Sequence, residues 1–269
     1  MSFKFDHDYH IHSKVSLCSN DEGQTNERIL QYAKDSGLSE IILTDHFWDE
    51  KSIAPTTDFY IKQDLAHIKQ ALPLPQAEGV RFLFGAEVEL DKNCTVPMTK
   101  ETYDELAFVI IPTTHLHMRG LTITEADYDA EDDTRSRLWV SRMDALLSQD
   151  LPFHKIGIAH LACPLFDKRS REHYLRALDN IPTEDMERIF AKAAELGVGI
   201  ELNAGDLSFR DSEENTVLRM FRIAKAQGCK FYCGSDAHHP NALERARSIY
   251  ERALPRLDLS ENDRFYIGE

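Results

Sequence analysis

Along the 269-residue chain, seven short apolar runs alternate with stretches of helical periodicity, and every one of these runs carries or leads into His, Asp or Glu. The runs are Phe5 to Ile11, Glu40 to Thr44, Val80 to Leu90, Ala107 to Thr113, Ile156 to Ala159, Val198 to Leu202 and Phe231 to Gly234. Each has the length of a strand, and the segments between them are long enough for the helical crossovers that join parallel strands. Thr25 is placed to cap a helix that carries Ile29, Leu30 and Ala33 and stops at Gly37. Phe59 to Leu72 reads as helical up to Pro73, as does Arg137 to Leu147. A helix-rich stretch with Ile189, Phe190, Ala193 and Ala194 inward ends at Gly197, a further helix turns Val217, Leu218, Phe221 and Ala224 inward, and a last one runs from about Asn241 to Ala253. No Ser/Gly linker interrupts the pattern. The expectation is an α/β fold in which residues 1–269 form one domain, with a parallel sheet closed by right-handed crossovers into a barrel.

The polar residues fall where such a barrel would gather them. His10 and His12 end the first run, Asp45 and His46 the second, and Glu87 lies in the third. His115 follows the fourth, His160 the fifth, and Asp236 and His238 the seventh. In a parallel barrel the C-terminal strand ends meet on one face, so residues far apart in sequence converge. Imidazoles and carboxylates gathered in a cleft lose hydration without gaining packing, and divalent cations supply the missing compensation. Mixed nitrogen and oxygen donors suit Zn, Mn or Fe better than Mg or Ca. The donors are too many for one ion of about four to six ligands, so two to three ions are expected, with Glu87 as the bridge. A lone strand-end histidine is more often a core or surface residue; it is the ordered set that carries the inference. Asp8 shares a period-two face with His10 and His12 and is a candidate to orient one of the rings, as is Asp45 for His46. His117 and His239 are neighbours of better donors; each is a candidate substrate contact, with solvent exposure the default expectation.

Composition narrows the partners. The 31 basic and 46 acidic residues leave a net charge of −15, which disfavours nucleic-acid polymers and anionic lipid. The acidic run Glu125 to Asp133 reads as a solvated excursion. Five scattered cysteines without a CxxC pair, and the absence of an apolar leader or a long apolar span, suggest a cytoplasmic chain with reduced thiols and no membrane segment.

With these residues in view, the chain resembles the PHP (polymerase and histidinol phosphatase) metallophosphoesterases. The motifs are DYHIHS (Asp8 to Ser13), LTDHF (Leu43 to Phe47), FGAEVEL (Phe84 to Leu90), TTH (Thr113 to His115), IAHLACP (Ile158 to Pro164), ELNAG (Glu201 to Gly205) and CGSDAHHP (Cys233 to Pro240). The resemblance implies a distorted (β/α)7 TIM-like barrel with a trinuclear centre. His10, His12, Glu87 and Asp236 would hold one metal; Glu87, His115 and His160 the second; His46 and His238 the third. The family usually adds a ligand to the third metal from the loop after HxH. Here that loop reads LCSNDEG, with Asn20 near the expected place, Asp21 as the substitute and Glu22 as the next choice.

The implied chemistry is hydrolysis of a small phosphomonoester, with histidinol phosphate the specific expectation, by a metal-bridging hydroxide attacking phosphorus in line. His238 and Asp236 are both candidates to protonate the leaving group. Arg210, in the loop after ELNAG, resembles a phosphate-contacting arginine of the histidinol phosphatase branch; Arg169 follows, then Lys168 and Arg119. Two other readings stay open: a phosphoesterase or 5′-3′ exonuclease acting on nucleotides or RNA ends, and a non-catalytic scaffold. The nearly complete donor set speaks against the scaffold.

Overall fold

The computed structural model of the chain describes residues 1–129 and 133–268. Among the described residues, nine strand segments, all pairing in parallel, form two sheets. One contains β1 (His7–Ile11), β2 (Glu40–Leu43) and β4 (Arg81–Phe84); the other runs β3 (His46–Phe47), β5 (Ala86–Val88), β6 (Val109–Pro112), β7 (Ile156–Ala159), β8 (Gly199–Asn203), β9 (Lys230–Gly234). The nine segments occupy seven strand positions. The second and third expected strands each break in two, β2 into β3 at Thr44–Asp45 and β4 into β5 at Gly85, and pass from one sheet to the other. Gly85 permits the step: a Cβ there would lie 2.4 Å from the Phe108 carbonyl oxygen.

The ring closes between β1 and β9. At the C-terminal end Asp236 N donates to His10 O (2.7 Å) and His12 N to Ala237 O (3.1 Å). Below that, side chains replace the ladder: Cys233 N donates to His7 Nε2 (3.0 Å) and Ser235 N to Asp8 Oδ1 (2.9 Å). The result is the expected barrel in distorted form, with Tyr9, Ile42, Phe108, Ile110, Ala159 and Tyr232 from five strands packed together inside it and Phe265 added from the C-terminal segment. A larger apolar cluster joins the strands to the surrounding helices.

Local signals account for most helices. Thr25 caps Asn26–Asp35 by accepting from Arg28 N, and Gly197, at φ 72°, ends Thr183–Leu196 in the left-handed conformation that glycine adopts without strain. Ile189, Phe190 and Ala193 are buried, as are Val217, Leu218, Phe221 and Ala224 on Glu214–Ala226. The expected helix over Phe59 to Leu72 is instead two single turns, Asp58–Ile61 and Leu65–Ile68, followed by a 3-10 turn. Asp64 caps the second turn through His67 N, and the intervening Gln63 accepts from Leu17 N and receives Trp48 N on its carbonyl, contacts that a continuous helix would forfeit. In the acidic run, Glu125–Tyr128 forms one helical turn; residues 130–132 lie outside the described residues. Among the described residues no helix is long and apolar enough to cross a membrane, and none of the five cysteines is in a disulfide.

Candidate metal centre

Backbone register places the first donors. The β1–β2 pairing slips between Asp8 and Ile11, so strict alternation fails there. Tyr9 packs inside the barrel, Ile11 joins the outer apolar cluster, and His10 and His12 come together at the mouth. Asp8, expected on their face, instead accepts from Tyr32 Oη (2.9 Å) and from Ser235 N. It fastens the β1–β9 seam rather than a ring nitrogen. On the neighbouring strands His46 pairs directly with Glu87 in register, which brings His46 Nδ1 to 3.1 Å from Glu87 Oε2.

Four donor atoms then meet. His10 Nε2 lies 3.0 Å from His12 Nε2, 3.4 Å from Glu87 Oε2 and 3.4 Å from Asp236 Oδ1; His12 Nε2 lies 3.2 Å from Glu87 Oε2 and 3.3 Å from Asp236 Oδ1. A tetrahedral cation with bonds of about 2.1 Å spaces its ligands by roughly 3.4 Å, close to this pattern. The other carboxylate oxygen, Glu87 Oε1, is 3.5 Å from His160 Nε2, whose ring sits 4.9 Å from that of His115. Glu87 thus presents one oxygen to each of two donor groups. Both oxygens are buried and have no donor in hydrogen-bonding alignment, which is the situation of a carboxylate built to bind cations.

The imidazoles are oriented from behind. His10 Nδ1 lies 2.6 Å from Glu201 Oε1, His115 Nδ1 2.9 Å from Glu89 Oε1, and His12 Nδ1 3.3 Å from Ser16 Oγ. His238 Nδ1 donates to the Asp236 carbonyl at 2.9 Å. With a proton on each Nδ1, each Nε2 keeps its lone pair for a cation. Glu201 and Glu89 were not singled out from sequence, although both left a trace: Glu201 opens ELNAG, and Glu89 is two residues after Glu87. The Asp45 carboxylate is turned from the His46 ring to Ser13: it accepts from Ser13 N and Ser13 Oγ, both at 2.7 Å, and anchors the loop after β1.

Strain and charge concentrate at the same place. His160 and Asp236 adopt φ of 58° and 53°, a conformation that costs non-glycine residues about 1–3 kcal/mol and recurs at functional sites. Burial alone would lower the His10 pKa, but Glu201, Asp236 and Glu87 carry it up to about 10. Burial likewise works against ionising Asp236, yet His10, His238 and His160 hold it well below the usual carboxylate range. The cluster demands positive charge at its centre.

Above the donors lies a cavity of about 380 Å³ lined by Cys18, His46, Phe59, Tyr60, Glu87, Glu89, His115, His117, Met118, His160, Leu165, Asp236 and His238. His117 is a wall residue rather than an exposed one: its Nδ1 is buried and unpartnered, and burial pushes its pKa down to about 3. From the loop after β1 the inward residue is Cys18. Asn20, Asp21 and Glu22 are exposed, and Asp21 Oδ1 accepts from Gly23 N in its own turn. Arg210 is exposed and off the cavity wall, Arg169 is held by Asp167, and Arg119 by Glu125 and Asp129; Lys168 is exposed, on the loop that carries Leu165.

The Glu201 carboxylate reaches His10 by crossing Gly234, where a Cβ would lie 2.0 Å from Glu201 Oε1 and 2.7 Å from His10 Cβ. Glu201→Gln is expected to weaken metal binding roughly 10–100-fold, the usual effect of losing a partner behind a ligating histidine. Gly234→Ala should reproduce that loss while leaving Glu201 in place, and add about 1–3 kcal/mol of destabilisation. Metal-binding isotherms on both variants check this; unchanged affinity in Gly234→Ala would refute the coupling.

No family model and no curated protein matches the chain. Among solved structures, histidinol phosphate phosphatase from Lactococcus lactis subsp. lactis, determined with zinc, L-histidinol and phosphate, superimposes with a TM-score of 0.62 at 19% identity, over 92% of this chain and 93% of that chain. The two share the fold along nearly their whole length.

Proposed function

We propose that the chain is a metal-dependent phosphoesterase hydrolysing a small phosphomonoester, with histidinol phosphate as the leading substrate. The observation that carries this reading is the quartet of His10, His12, Glu87 and Asp236, with ligand atoms spaced as around a single cation, at the floor of a small cavity. The shared fold with a phosphatase whose structure contains zinc, histidinol and phosphate supports it. His10, His12, Glu87 and Asp236 would hold one ion, and Glu87, His115 and His160 a second, with Zn, Mn or Fe suited to the mixed donors. Bound there, divalent ions supply positive charge to attract phosphate, Lewis acidity toward its oxygens, and acidification of water to near neutral pKa. The residues of the chain fix the geometry: Glu201 and Glu89 hold rings, and Phe59, Met118 and Leu165 give an apolar wall for the organic group. Asp236, kept ionised, brings no proton to the leaving alkoxide, and His238 spends its Nδ1 proton on a carbonyl; solvent at the mouth is the proton source. Arg210 is off the cavity wall, but its loop after β8 is on the same side of the ring, and it is proposed as a guanidinium that meets phosphate at the mouth, with Arg169 restrained by Asp167.

A cavity of about 380 Å³ fits a metabolite rather than a polymer. The test is a panel of histidinol phosphate, nucleoside monophosphates, nucleoside 3′,5′-bisphosphates and short oligonucleotides, run before and after chelation. Histidinol phosphate should give the highest kcat/KM, chelation should abolish turnover, and Zn, Mn or Fe should restore it. Faster release from oligonucleotide ends would move the assignment to nucleic acids, and no turnover of any member in the metal-loaded protein would remove it.

A further inference from the structure

We infer that Cys18 is the loop donor that joins His46 and His238 in the third cation site, making it a thiolate site beside the two groups that share Glu87. The inference rests on the metal-dependent reading above and names the donor that the loop after β1 contributes. Ligand atoms of His12, Cys18, His46 and His238 lie within 4.8 Å of one another. Because His12 Nε2 faces Glu87 and Asp236, two imidazoles and the thiol remain for a separate ion. His46 is 8% exposed, and its Nδ1 has no partner in hydrogen-bonding alignment. His238 is turned by its Nδ1 hydrogen bond so that Nε2 is the free donor.

The loop is built to hold Cys18 there. On one side Leu17 N donates to Gln63 Oε1 (3.0 Å); on the other Ser19 Oγ donates to the His238 carbonyl (2.6 Å) and Ser19 N to Ser16 O (2.9 Å). The residue is pinned between the segment that supplies the cavity's aromatic wall and the segment that supplies His238. Two nitrogens and one sulfur leave a fourth tetrahedral position, and since all three residues line the cavity, that position is open to water or a phosphate oxygen. On ligation the thiol releases its proton to solvent and the sulfur gives a lone pair to the cation. A soft sulfur donor turns this site toward zinc, iron or cobalt and away from magnesium and manganese, unlike the mixed nitrogen and oxygen donors next to it.

The experiment titrates metal-free protein with Co²⁺, following bound equivalents by dialysis and the thiolate-to-cobalt charge-transfer absorption in the near ultraviolet. Wild type should develop the band. Cys18→Ser should lose it together with one bound equivalent, Cys18→His should regain the equivalent without the band, and Cys163→Ala, which removes the other thiol near the histidines, should keep it. Cobalt bound to wild type without the band, or a band that persists in Cys18→Ser, overturns the assignment of Cys18 and leaves the two Glu87 groups intact. No cobalt bound at all overturns the metal-dependent reading and this inference together.

Discussion

Glu87→Gln should lower kcat/KM for a phosphomonoester by about three orders of magnitude or more and remove at least one equivalent of bound metal. The substitution is nearly isosteric, so packing barely changes; the loss is chemical. Glu87 offers Oε2 to His10, His12 and His46 and Oε1 to His160, with its side chain 1% exposed. An amide cancels the charge and points an N–H pair at a place where every neighbour is arranged to donate electrons. If cation charge stabilises the reacting phosphoryl group by several kcal/mol, each 1.4 kcal/mol forfeited is about tenfold in rate. Metal content and steady-state kinetics on the same preparation measure both halves. A Gln variant with full metal content and activity within tenfold of wild type would show that Glu87 is not the bridge.

The second large effect concerns a residue that sequence periodicity hid. Arg142, on the helix Asp133–Leu147, is 2% exposed and its guanidinium donates to the carbonyl oxygens of Leu90 (2.8 Å), Asp91 (3.1 Å), Thr113 (3.0 Å) and Thr122 (2.7 Å). Two of these carbonyls follow Glu89, one lies two residues before His115 and one seven residues after it, so one side chain ties together the segments that carry Glu89 and His115. Arg142→Met keeps the apolar stem and takes a donor from all four carbonyls, of which Asp91 O keeps a second one in Cys94 N (3.0 Å). The expected cost is about 3–5 kcal/mol, as for breaking buried charge-assisted bonds, or a fall in Tm of roughly 10 °C for a chain of this length. Arg142→Lys should recover only part of it, because an ammonium cannot span the four acceptors in a plane. Denaturation of the metal-free and loaded protein gives the value; a shift below about 1 kcal/mol for the Met variant would mean that water satisfies those carbonyls equally well.

Much of the architecture was legible in advance because it depends on local quantities. Apolar runs of strand length separated by capped amphipathic helices lead to parallel strands, and a parallel ring puts strand ends on one face whatever the loops do. That is why His10, His12, His46, Glu87, His115, His160, Asp236 and His238 could be grouped before any geometry was known. Local pattern misleads where one residue of backbone matters. Strict alternation placed Asp8 with His10 and His12, whereas the register slip in β1 turns it to Tyr32 and Ser235. Adjacency likewise points Asp45 to His46, but the Asp45 carboxylate is taken by two donors of Ser13. In the loop after β1, acidity pointed to Asp21; the chain direction set by Ser19 and Leu17 turns Cys18 inward instead.

The sequence by itself therefore determined which residue types reach the barrel mouth, since side-chain period and strand order are written residue by residue. Only the tertiary structure decided how those residues are used: that Glu201 and Glu89 stand behind His10 and His115, that Asp8 closes the seam, and that a cysteine rather than a carboxylate faces His46 and His238. The reason is range. A donor is a property of one position, but the orientation of His10 and His115 is set by hydrogen bonds to partners 191 and 26 residues away in sequence, and no local pattern encodes them.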